Sequence, residues 1–183
     1  MRLDFARPDA SEYLAVLNGL LVFHTAVAEF SRETVARELG PDIALLSRGQ
    51  TLRADIRSMS ERLPAAADGV CASGHGPDGP VLTNQLRGGR EERIGAAYVA
   101  AGSVLGGRVI ATNLAASGCG DLPQSFFASD GLDLGRLWRH FKTALDAFGT
   151  SGADSARVVA GALAAFALIR DIQRWPGASP GTA

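Results

Sequence analysis

Cysteine is almost missing from this chain. Cys71 and Cys119 are the only two in 183 residues, they stand apart beside glycines, and neither belongs to a Cys-x-x-Cys pair. That excludes a disulfide framework and a structural zinc site, and reduced thiols are expected. Lysine is scarcer still: Lys142 is the sole one among 18 Lys+Arg, and 19 Asp+Glu bring the formal net charge to -1. Without a cationic field, binding to nucleic acid or to an anionic membrane surface is not expected. Long hydrophobic runs are lacking too. The longest, Leu14 to Val27, contains Asn18, His24 and Thr25 and falls short of the ~20 apolar residues a membrane crossing needs. The opening MRLDFARPDASEY has none of the basic, apolar and small-residue regions of a signal peptide, so a cytoplasmic protein is expected. Strand-period alternation, internal repeats, a P-loop, a strand-borne GxGxxG and a nucleophile elbow are all absent. No Glu-x-x-His occurs, which excludes the paired motifs of a di-iron carboxylate bundle.

What remains reads as helices separated by Gly/Pro-rich breaks, an all-α multi-helix bundle. With 46% hydrophobic residues the chain can bury one core, so a single domain over 1–183 is expected, its core at about 10–175 and a disordered tail at 176–183. Asp9 and Glu12 mark a capping-box-like start for a first helix at about 10–30, apolar over so wide an arc that it must be central. A short helix (Ser31 to Leu39), an amphipathic one at about 51–63, a loop at 64–80 and a long helix at about 91–117 follow. Helices at about 132–148, through Leu134, Trp138, Phe141, Leu145 and Phe148, and at about 154–174 close the chain. The last is expected to bury Val159, Leu163, Phe166 and Ile169.

The long helix reads RIGAAYVAAGSVLGGRVIATNL, and Gly95, Val99, Gly102 and Gly106 share one face nearly free of side chains. Each interior glycine costs roughly 1 kcal/mol relative to alanine. Something must compensate: a helix packed backbone to backbone, or a flat ligand lying on the strip, with the Gly106-Gly107 pair inviting a bend.

GSVLGGRV, preceded by Tyr98, resembles the distal helix of the heme oxygenases, where a Gly-x-x-x-Gly-Gly segment kinks over the heme. YLAVLNGLLVFHTAVAEF is similar to that family's second helix, with Glu29 as the glutamate of its last turns. FFASDGLDLGRLWRHFKTALDAF is similar to the segment through the helix that supplies propionate-binding basic residues, with Trp138-Arg139 at the aromatic-arginine position. The likeness runs over about 10–175 and is nearest to the bacterial, biliverdin-producing branch.

The resemblance implies heme as cofactor and substrate, with Gly102, Ser103 and Gly106 at the catalytic face. Tyr98, Gly102, Gly106, Gly107, Arg139 and His24 are the implied heme contacts, and Arg136, Lys142, Arg53 and Arg57 are candidates for a basic rim. Two features depart from the pattern. The family's iron-ligating histidine lies on an N-terminal helix with a glutamate four residues later, whereas only nine residues, none of them histidine, precede the first helix here. Ser103 stands where many members have an aspartate, and Ala101 where the bacterial branch has an acidic residue. The proximal helix is therefore expected to be lost or cut off by a misplaced start codon, which leaves His24 or upstream sequence as the candidate source of a metal ligand, although a hydrogen-bonded core histidine is the plainer role of His24. His75, four residues after Cys71, reads as a loop residue and His140 as a surface one.

The function expected on this basis is a degenerate heme-oxygenase-like protein that holds heme, a related tetrapyrrole or a partner without efficient turnover. The alternative is an active heme oxygenase that cleaves heme to biliverdin, carbon monoxide and iron with dioxygen and a reductase. A homodimer would cover the apolar groove that a missing helix leaves.

Overall fold

The computed structural model describes residues 9–40, 48–63 and 85–174, and every regular element among them is helical. The whole 64–80 loop, with Cys71 and His75, and the tail at 176–183 lie outside the described residues.

Helix α1 (Ala10–Glu38) starts where Asp9 accepts a hydrogen bond from the Ser11 amide at 2.7 Å. The break expected at Ser31 does not occur. The Ser31 hydroxyl donates back to the Val27 carbonyl at 2.6 Å, so the residue satisfies itself inside the helix and does not cap a new one. Helix α2 (Gly49–Ser60) follows, then α3 (Arg90–Ala116), whose first turn is closed by Glu92 accepting from the Gly89 amide at 2.8 Å. The single turn α4 (Ser125–Ala128), α5 (Leu134–Thr150, capped by Asp133) and α6 (Ser155–Arg174) complete the order.

α1 and α3 lie antiparallel. Arg93 donates to the Phe30 carbonyl, Ser103 meets His24, and Leu114 packs with Leu14 and Leu17. Both helices are long and apolar enough by length and composition to cross a membrane, although the longest uninterrupted apolar run in the sequence is too short. Here they form the centre of the core: Phe23, Val27, Ala96, Val99 and Ala100 are buried in one cluster with Ala165, Leu168 and Ile172 of α6.

The crossing of α3 and α6 decides which face of α6 is buried. A Cβ on Gly95 would meet the Val158 carbonyl oxygen and lie 2.7 Å from the Ala162 nitrogen. A Cβ on Gly161 would lie 2.5 Å from Glu92 Cα. Real Cβ atoms tolerate neither, so the two backbones touch and only glycine serves at either contact. Glu92 seals the crossing with a two-pronged ion pair to Arg157, at 2.7 and 3.0 Å, which holds its carboxyl down at about 2. This corrects the expected α6 stripe. Gly161, Ala165, Leu168 and Ile172 face inward, while Val159, Leu163 and Phe166 stand more than half exposed. Apolar periodicity selects the largest side chains; backbone contact selects the smallest, and here it wins.

Candidate functional site

The glycines of α3 divide by what they meet. Gly95 is consumed by the α6 crossing, and a Cβ on Gly107 would lie 3.0 Å from the Phe127 carbonyl oxygen of α4. Gly102 and Gly106 have nothing within 4 Å of the place their Cβ would occupy. Helix packing therefore accounts for two of the glycines, and bare open backbone is left at the other two. Gly102 is seven residues beyond Gly95, two turns on and within about 20° of the same face. At the crossing Glu92 lies against Gly161, and Gly95 lies against Val158 and Ala162. Beyond the crossing α3 offers Gly102 and Gly106, and Phe166 of α6 is exposed.

Beside Gly102 stands Ser103, whose hydroxyl donates to the Ala100 carbonyl at 2.8 Å and lies 3.1 Å from His24 Nε2. With the hydroxyl proton on the Ala100 carbonyl the imidazole donates its Nε2–H to Ser103 Oγ, and in the other tautomer the hydroxyl donates to Nε2. His24 is 1% exposed, with Phe23 and Phe126 edge-on at ring separations of 5.4 and 5.1 Å. Its Nδ1 is buried without a hydrogen-bond partner. Burial first, and then the nearby Arg48 charge, push its pKa down from 6.5 to about 4, so the ring is neutral at pH 7.

Stability should fall with acid for this reason. Above pH 6.5 both folded and unfolded chains carry His24 neutral and the contribution is complete. As pH drops from 6.5 towards 4 the unfolded chain takes up a proton that the folded one refuses, a loss of about 1.4 kcal/mol per pH unit. Urea unfolding at pH 7.5, 6 and 5 should show that slope, and His24→Gln should flatten it.

Phe126 and Phe127 are held by α2. Asp55, buried, accepts from the Ser125 and Phe126 amides at 3.1 and 2.8 Å, satisfying the free N–H groups of α4. Arg48 takes the other end, donating to the Phe126 and Ser125 carbonyls at 2.9 and 3.1 Å and to Ser129 Oγ at 2.7 Å. Sequence reasoning missed Asp55, Arg48 and α4 altogether. An isolated four-residue turn has no period to read, and its two caps lie some 70 residues away in the chain.

Tyr98, 40% exposed, leans onto α5 with its ring 5.9 Å from Trp138 and 6.1 Å from Phe141, and those two stack at 5.3 Å. Arg139, the residue after Trp138, is exposed, and no described residue pairs with its guanidinium; Arg136, Lys142 and His140 are exposed on the same helix. Arg53 and Arg57 are exposed on α2, remote in sequence and element from the strip. Among the described residues no group of three His, Cys, Asp or Glu side chains is gathered as a metal site.

A family model described as heme oxygenase matches residues 6–174, and the chain belongs to that family. No curated protein and no solved structure matches it.

Proposed function

We propose that this heme oxygenase family member holds heme or a related tetrapyrrole on the Gly102–Gly106 face of α3 and turns it over inefficiently. The observation that carries the reading is the open space over those two glycines, in a helix whose other two well-packed glycines are each explained by a backbone neighbour. A flat ring takes the room that a Cβ would fill. The Tyr98–Trp138 pair, with Tyr98 one turn before Gly102 on α3, would supply apolar contact at its margin. Arg139, unpaired among the described residues, would meet a propionate with two parallel N–H donors.

Bound heme supplies a redox-active iron and, in the family's reaction, is itself the substrate. The chain's own residues do the seating: bare backbone sets the approach distance, aromatic rings exclude water, and Ser103 offers a hydroxyl beside Gly102. The described histidines support the reading of inefficient turnover. His24 commits Nε2 to Ser103, its Nδ1 is enclosed in the core, and His140 sits exposed on α5, so no described imidazole presents a free nitrogen to the strip.

Family membership favours the second reading, an active oxygenase whose iron ligand comes from outside the described residues. A hemin titration followed by ascorbate in air separates the two. A saturable Soret band that persists supports binding with poor turnover; a band that decays to biliverdin supports the active enzyme; no band removes both.

A further inference from the structure

We infer that the outward face of α6 is a self-association surface, on which two copies of this chain pair as antiparallel helices about a two-fold axis. The face is written at coiled-coil spacing. Ala156, Val159, Leu163, Phe166, Arg170 and Gln173 follow one another at intervals of 3, 4, 3, 4 and 3, and all six are exposed. They lie across the helix from Gly161 and Leu168, which are buried in the bundle. A solvated helix ordinarily carries charge on its outer side. α5 does, with Arg136, Arg139, Lys142 and Asp146 exposed, whereas no charged residue stands between Arg157 and Arg170 on α6. Val159, Leu163 and Phe166 are each more than half exposed, an apolar stripe that the single chain leaves in water.

Charge selects the occupant and its direction. With Leu163 of one copy opposite Phe166 of the other, antiparallel register sets Arg174 opposite Ser155 and beside the exposed Asp154, and lays the Arg170 stem along Val159. Opposite signs then meet at both ends of the seam. Parallel pairing would set Arg170 and Arg174 against their own copies. Ala160 and Ala167 flank the seam with little bulk, so the two helices can approach closely. A lipid surface fits less well, because a chain of net charge -1 has no cationic field to hold it there. A 20-residue helix makes a small interface, so the dimer is reversible, with a Kd on the order of 10–100 µM.

The pairing needs no bound tetrapyrrole, so sedimentation equilibrium of the hemin-free protein from about 5 to about 500 µM tests it apart from the proposed function. The wild type should pass from monomer to dimer across that range. Leu163→Glu and Phe166→Glu change exposed side chains, and each should weaken the dimer at least tenfold while keeping the wild-type circular dichroism. Val109→Glu, at an equally exposed apolar position on α3, should leave it within about twofold. With Cys71 and Cys119 changed to serine, mixed Ser155→Cys and Arg174→Cys chains should oxidise to the mixed disulfide in preference to either self-linked dimer. A wild type monomeric throughout overturns the inference, as does a dimer that survives both glutamates or one in which Ser155→Cys links chiefly to itself. Two further results overturn it by giving the face another occupant. One is a monomeric wild type whose binding to mixed phosphatidylcholine–phosphatidylserine vesicles is lost in Leu163→Glu. The other is a Leu163→Glu protein that loses hemin affinity with its association state unchanged.

Discussion

Gly161→Ala is expected to cost the fold roughly 3 kcal/mol or more, enough to leave a domain of this size largely unfolded at 37 °C. The added methyl group would sit 2.5 Å from Glu92 Cα and 2.6 Å from its carbonyl carbon. These are backbone atoms inside a helix, so nothing flexible can swing aside. Relief requires α3 and α6 to separate, which loosens Ala165, Leu168 and Ile172 against Ala96 and Val99 and stretches the Glu92–Arg157 pair. The contrast lies on the same helix pair. Gly102→Ala meets open space and removes an interior glycine, so it should raise stability by about 0.5–1 kcal/mol. Urea unfolding of both variants by far-ultraviolet circular dichroism reads the two signs directly. If both changes prove neutral, the α3–α6 crossing is wrongly described.

Asp55→Ala should be nearly as damaging, at about 3 kcal/mol. It strips the acceptor from two amides of α4 and removes one of the two opposite charges that act on the half-buried Arg48 guanidinium, Asp55 and Asp130. α4 is one turn long and has no independent stability, so its hold on Phe126 and Phe127 loosens as well. Phe126 is the ring that confines His24, and the Phe127 backbone lies over Gly107. A loss of stability therefore should come with a perturbed hemin complex. Asp55→Asn keeps one acceptor oxygen and should lose about half as much. A variant as stable as the wild type would show that α4 is held by its aromatic packing instead.

Much of the fold was legible because helices advertise themselves by period. Asp9 announced the start of α1, and Leu134, Phe141 and Phe148 the inner face of α5. The misreadings share one physical source. Ser31 looked like a boundary because serine caps helices, yet the same hydroxyl can bond one turn back. Phe166 looked like core because it is large and in phase, yet the small face through Gly161 was needed for backbone contact.

At the site, the glycine spacing was visible but its meaning was divided. Gly95 and Gly107 serve packing, and only coordinates distinguish them from Gly102 and Gly106. His24 and Ser103 were each identified as site residues. Their partnership was not, because 79 positions separate them and no local pattern links a residue of one helix to its neighbour on another.

The central claim is that open backbone at Gly102 and Gly106 seats a planar ligand, and hemin affinity of Gly102→Leu measures it most directly. The Cβ of a leucine there meets nothing within 4 Å and leucine is the better helix former, so the variant is expected to unfold no more easily than the wild type. Its side chain would nevertheless fill the seat, and hemin should bind at least tenfold more weakly in a Soret titration. A stable Gly102→Leu protein that binds hemin as the wild type does would contradict the account and place any tetrapyrrole elsewhere on the molecule.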